Sequence, residues 1–143
     1  MGLNYNVWLP HLKFTLQTMA VTYPSRPNEV SRKKYYDFIQ NLPLLLPIEE
    51  IGNSFAKYLD KFPVTPYLDS RPSFIKWMHF IHNKINVSIG EPELSMEESM
   101  AQYYEEYKPK VVKDAEQRKQ REKLIFLLIL LFLLIIGGIL YNK

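Results

Sequence analysis

The run LIFLLILLFLLIIGGILY, Leu124 to Tyr141, constrains this chain more than any other feature. Its 18 positions hold no charge, no proline and no amide side chain. As an α-helix rising about 1.5 Å per residue it would extend roughly 27 Å, close to the hydrocarbon thickness of a bilayer, about 30 Å. A helix satisfies its own backbone groups and so tolerates lipid as a solvent. A core helix would need apolar neighbours on every side, which a chain this short cannot supply beside a second core. The expectation is one C-terminal transmembrane helix, with Leu124, Phe126, Leu131, Phe132, Ile136 and Tyr141 as membrane residues and a lipid membrane as partner. The opening MGLNYN has no apolar segment for a signal peptide, and Asn6 stands where a myristoylation site wants Ser or Thr.

Charge on the flanks sets the expected orientation. Between residues 108 and 123 seven cations face three carboxylates, a net +4, whereas residues 1–107 carry 10 basic and 12 acidic side chains. Positive charge beside a span favours keeping that side cytoplasmic and attracts anionic headgroups. This reading gives a single-pass tail anchor with the N-terminal domain on the cytoplasmic side. The basic balance belongs to the stalk, so the domain offers no basic face for nucleic acid, and none is expected as a partner.

The remaining hundred or so residues suit one domain with one core. Their patterns are helical. Leu9, Leu12, Leu16, Met19 and Ala20 recur at three- and four-residue steps as far as Tyr23-Pro24. Pro27-Asn28 starts a second helix that Pro43 should stop, and Pro47 suits the first turn of a third carrying Ile48, Ile51, Phe55, Tyr58, Leu59 and Phe62. Ser70 should cap a fourth helix whose buried stripe holds Phe74, Trp77, Met78, Ile81 and Ile85, ended by Gly90 to Pro92. Ser95 with Glu98 reads as a capping box for a short fifth helix, and Pro109 interrupts the path onward. No stretch alternates at period two. The fold class is therefore all-α: a four-helix bundle plus a short fifth helix over residues 1–96, a basic helical stalk over 97–123 and a transmembrane helix over 124–141.

The chain has no cysteine, which excludes disulfides, thiol catalysis and thiolate metal sites. His79 and His82 lie at a helical spacing that can bind zinc, but no third ligand stands near them in sequence, and no metal is expected. Glu49 and Glu50 point some 100° apart on a helix and so do not share an acid–base site.

Taken in order, several strings resemble the Erv/ALR family of FAD-dependent sulfhydryl oxidases. They are Leu16-Gln17-Thr18-Met19-Ala20, Tyr23-Pro24, Pro47-Ile48-Glu49-Glu50-Ile51, Phe55 to Leu59, Leu68-Asp69-Ser70-Arg71, Trp77 with His82-Asn83-Lys84-Ile85-Asn86, and Gly90 with Pro92. The W-x4-HN-x2-N pattern and the P-x-EE-x pattern at their separation carry most of the specificity. The resemblance implies a four-helix bundle with a short fifth helix, FAD at its mouth, and often a dimer. It also implies a Cys-x-x-Cys redox pair at the positions of Ile48 and Ile51, and a second pair at those of His79 and Met96. An isoleucine cannot exchange disulfides. The family's W-x3-H pattern falls on Lys13 and Gln17, and its basic residues near the flavin phosphates fall on Ser88 and Glu91. The residues retained at the adenine half are Trp77, His82, Asn83 and Asn86.

From this the expectation is a degenerate, redox-inactive member, not an enzyme and without cofactor. It would act as a membrane-anchored structural or interaction protein, with a virion membrane or minor capsid as one setting the resemblance suggests. The alternative is an FAD-binding, sulfhydryl-oxidase-like flavoprotein that uses thiols supplied by a partner. For the first reading Tyr5, Trp8 and Phe14 are the candidate interaction residues, with a second copy or a shell or scaffold protein as partner, because Trp and Tyr bury much area at low entropic cost.

Overall fold

A computed structural model describes residues 3–141, and the side chains of residues 3–138. It contains helices α1 (Tyr5–Val21), α2 (Glu29–Leu45), α3 (Glu49–Lys61), α4 (Arg71–Ser88), α5 (Met96–Glu105) and α6 (Lys110–Tyr141), with a single 3-10 turn at Thr65–Tyr67 before α4. No strand forms among the described residues. The chain divides into two compact units, Met1–Tyr103 and Tyr104–Lys143.

The first unit is an all-helical bundle. Helix α1 packs on α4, α2 on α3, and α3 on α4. The stripes predicted from periodicity are the core: Leu9, Leu16 and Ala20 of α1, Ile51, Phe55 and Leu59 of α3, and Phe74, Trp77, Met78, Ile81 and Ile85 of α4 are all buried. Local signals set the helix ends. Asn28 caps α2 by accepting from the Ser31 N–H, and Ser70 caps α4 by accepting from the Ser73 N–H. Ser95 and Glu98 form the capping box ahead of α5, the Ser95 N–H donating to Glu98 Oε2 at 2.8 Å and the Glu98 N–H to Ser95 Oγ at 3.1 Å. Gly90, with φ 82°, takes the left-handed conformation that ends α4.

Two helix ends differ from expectation. Pro43 lies inside α2, which continues to Leu45. A proline removes one backbone bond, and so close to a C-terminus it costs less than in mid-helix. Helix α3 begins at Glu49, with Ile48 at its N-cap and Pro47 outside it. Where α2 and α3 meet, Gly52 is buried and a Cβ there would lie 2.6 Å from the Pro43 carbonyl oxygen, so the close approach of the two helices requires a glycine.

Tyr23, just past α1, ties three segments together. It is fully buried, its hydroxyl donates to the Leu68 carbonyl at 2.8 Å, and its own carbonyl accepts from Arg71 Nε. Its ring meets Tyr35 edge-on at 4.6 Å and Phe74 at 4.9 Å.

In the second unit, Lys108 joins Glu105 at 2.8 Å and Glu116 at 3.1 Å across the break at Pro109. Helix α6 is 32 residues long, but no helix among the described residues is long and apolar enough to cross a membrane. Within α6 the apolar residues directly follow the charged turn Arg121, Glu122 and Lys123. This corrects the expected transmembrane helix, the tail anchor with its cytoplasmic N-terminal domain, and the membrane role of Leu124, Phe126, Leu131, Phe132, Ile136 and Tyr141. The first five of these side chains are exposed on α6, and that of Tyr141 lies outside the described residues.

Candidate functional site

Helix α4 brings the residues of the W-x4-HN-x2-N pattern into the bundle, and each has a different environment. Trp77 is a core residue, 2% exposed, with its indole N–H donating to the Phe62 carbonyl at 3.0 Å. Asn83 braces the loop after α4: its Nδ2 donates to the Leu94 carbonyl at 2.8 Å and its Oδ1 accepts from the Leu94 N–H at 3.0 Å. Asn86 holds the same loop, its Nδ2 donating to the Pro92 carbonyl at 3.3 Å and its backbone carbonyl accepting from the Glu91 N–H at 2.9 Å. Gly90 permits the turn that returns this loop to the two amides.

His82 is different. It is 7% exposed, and its Nε2 has no hydrogen-bond partner among the described residues. Burial, with smaller contributions from Lys13 and His79, depresses its pKa to about 3, so the imidazole is neutral. His79, one turn earlier, also has a lowered pKa through burial, opposed by Glu93, and its Nδ1 is unpaired. Among the described residues no three His, Asp or Glu side chains gather in a way that could hold a metal.

The facing helix α1 supplies Lys13 and Gln17. Lys13 is half-buried and its ammonium donates to Asn86 Oδ1. Burial lowers its pKa, and the carboxylate of Glu91 pulls the other way. Gln17 is 4% exposed, with Nε2 on the Met100 sulfur at 3.1 Å and Oε1 unpaired. Ser88 is exposed and its hydroxyl donates to the Ile85 carbonyl at 2.7 Å.

At the α3 end, Ile48 is half-buried at the N-cap and Ile51 is buried, so both positions are apolar wall. The three aromatic candidates of α1 are half-buried: Tyr5 and Trp8 pack against the core cluster, and Phe14 lies 5.3 Å from the Tyr103 ring.

The structure thus brings His82, Asn86, Lys13 and Glu91 together across the α1–α4 contact, and leaves Trp77 and Asn83 as framework. In the sequence Lys13 and Gln17 stood out only as departures from a family pattern, although both also interrupt the apolar stripe of Leu9, Leu12, Leu16 and Ala20.

A helical bundle of this order, with a buried histidine and two asparagines on its fourth helix, has the architecture of the sulfhydryl-oxidase-like class. The chain belongs to the Erv1/Alr family, whose family model matches residues 13–108. A protein named as a probable FAD-linked sulfhydryl oxidase from Acanthamoeba polyphaga mimivirus is 32% identical over 83 residues, 57% of this chain and 58% of that protein. The FAD-linked sulfhydryl oxidase ERV2 of Saccharomyces cerevisiae is 33% identical over 69 residues, 48% of this chain and 34% of that protein. The chain therefore spans less than two thirds of either relative. Among solved structures, the yeast Erv1 core superposes with a TM-score of 0.64 at 19% identity, over 72% of this chain and 86% of that one. The FAD binding domain of Erv1 from Saccharomyces cerevisiae gives the same TM-score and identity, over 72% of this chain and 96% of that one. These likenesses establish the fold.

Unpaired buried polar atoms in a native structure call for a partner. Facing this contact are the Lys13 ammonium, a donor, the Gln17 Oε1, an unpaired acceptor, and the unpaired Nε2 of a neutral His82. The α1–α4 contact thus holds buried polar groups still open to a ligand's donors or acceptors. On the dithiol side the chain supplies no thiol.

Proposed function

We propose that this protein binds FAD between α1 and α4 and oxidises thiols carried by a partner. The observation that carries this reading is His82, buried with an unpaired Nε2 within the W-x4-HN-x2-N pattern on which the chain resembles the Erv/ALR family. An inherited packing motif with no ligand to serve would cost stability for each unpaired group, about 1–3 kcal/mol.

The division of labour follows from the geometry. Asn83 and Asn86 fix the loop that carries Glu91, Lys13 offers an ammonium donor beside the unpaired Nε2 of His82, and Trp77 holds α4 against the turn after α3 through the Phe62 carbonyl. A bound flavin supplies two-electron acceptance from a dithiol, which becomes a disulfide as its two protons leave, with O₂ as final acceptor. Ile48 and Ile51 cannot relay those electrons, so the dithiol must come to the site from another molecule.

Two measurements on the full chain test the proposal. Incubation with FAD and removal of excess should leave a stoichiometric flavin absorption band, and the loaded protein should consume O₂ with dithiothreitol as donor. A protein that stays colourless overturns the proposal. One that retains FAD without turning over is a binder only. It would then serve a structural or interaction role, a reading favoured by isoleucine at both redox-pair positions.

A further inference from the structure

The corner between α2 and α3 carries the two most exposed large apolar side chains of the first unit's described residues, Leu44 at 83% and Leu45 at 73%. Pro47 beside them is exposed and Ile48 is half-buried. The two leucines cannot turn inward. Ile39, Leu42 and Leu46, at i, i+3 and i+7, are the side of this helix end that packs on the core. At 3.6 residues per turn that leaves positions 44 and 45 on the outer side. The Pro43 carbonyl lies against Gly52 of α3, which stops the helix end from rotating.

The same corner is negative. From Tyr35 to Ala56 the chain holds Asp37, Glu49 and Glu50 and no Lys, Arg or His. Asp37 is paired with Lys33 at 2.7 Å, whereas Glu49 and Glu50 are exposed and make no ion pair among the described residues. Helix α2 has no basic residue in its last turn, so its terminal carbonyls add the negative end of a helix dipole. Two full carboxylate charges outweigh the partial positive charge, about half a unit, at the N-terminus of α3.

We propose that this corner is a docking surface for a segment of another protein in which leucine-like side chains alternate with lysine or arginine. Its apolar side chains cover Leu44 and Leu45, and its cations meet Glu49, Glu50 and the carbonyls that end α2. Charge decides the class of partner: unpaired carboxylates repel nucleic acid and anionic lipid headgroups and attract a basic segment. The surface uses no residue of the α1–α4 contact and goes beyond the FAD reading, on which it does not depend.

The test is fluorescence anisotropy of three labelled peptides titrated with the full chain: one of alternating leucine and lysine, one with glutamate for lysine, and one with serine for leucine. The wild type should bind the leucine–lysine peptide about 10-fold or more tighter than either other. Leu44→Ser with Leu45→Ser should weaken it about 10- to 100-fold, and both positions are exposed, so the bundle should keep its melting temperature. Glu49→Lys with Glu50→Lys should invert the preference toward the leucine–glutamate peptide, a change of sign that no loss of folding can mimic. Equal binding of the three peptides overturns the proposal, as does a double-serine variant that binds like the wild type. Sedimentation of the full chain tests the other occupant. If the wild type self-associates and the double-serine variant does not, the corner receives a second copy of this chain and a different protein as partner is ruled out.

Discussion

Asn83 and Leu94 are joined by two reciprocal hydrogen bonds, amide Nδ2 to the Leu94 carbonyl at 2.8 Å and Leu94 N–H to Oδ1 at 3.0 Å. One side chain thereby substitutes for a strand partner, satisfying both backbone groups of a residue in a loop. The loop carries Glu91 and Pro92, so this pair fixes how that loop lies against α4.

Replacing Asn83 with Leu removes both bonds and leaves the Leu94 donor and acceptor half-buried. The expected loss is roughly 2–4 kcal/mol. Urea unfolding of the full chain measures it. A change within about 0.5 kcal/mol, the range of an ordinary surface substitution, would show that the loop finds other partners.

Gly52→Ala should destabilise although alanine is the better helix former. The added Cβ would lie 2.6 Å from the Pro43 carbonyl oxygen, a backbone atom that moves only if α2 moves. Separating two packed helices costs roughly 1–3 kcal/mol, more than the gain of about 1 kcal/mol from helix propensity. A raised melting temperature in Gly52→Ala would contradict the close packing of α2 on α3.

Tyr23→Phe isolates one hydrogen bond in the core. The ring contacts to Tyr35 and Phe74 remain, and the Leu68 carbonyl loses its 2.8 Å donor. We expect a loss of about 1–3 kcal/mol with an unchanged denaturant slope, since the fold and its buried area persist.

The bundle was legible because its signals are local. The stripe Phe74, Trp77, Met78, Ile81, Ile85 has helical period, and Ser70, Ser95 and Gly90 mark ends through capping chemistry that needs no tertiary context. Pro43 misled because a proline breaks a helix only where its missing bond matters, and α2 ends two residues later. The apolar run from Leu124 was read from its length and its lack of charge, whereas no helix among the described residues is long and apolar enough to cross a membrane. At the site, comparing Lys13 and Gln17 with a family pattern made both look like losses. What sequence could not show is the crossing of α1 over α4, which brings Lys13 to Asn86 across 73 residues of sequence.

His82 should make stability depend on pH. Its pKa is depressed from 6.5 to about 3 in the folded protein, chiefly by burial. Between those two values the unfolded chain binds a proton that the folded one does not, so stability falls as pH falls through that window. Above pH 6.5 both states carry a neutral imidazole and the contribution is fully present. The slope approaches about 1.4 kcal/mol per pH unit below the unfolded pKa. His79 shifts in the same direction, so the wild-type slope is steeper than one group alone would give. Carboxylates titrate mainly below about pH 5, which leaves roughly pH 5 to 6.5 as the clean interval. Urea unfolding across that interval for wild type and His82→Gln should give a shallower dependence in the variant, whatever its absolute stability. Equal slopes would show that His82 takes up a proton in the folded state, and a proton-bearing imidazole would have to be solvated or paired with a carboxylate rather than buried.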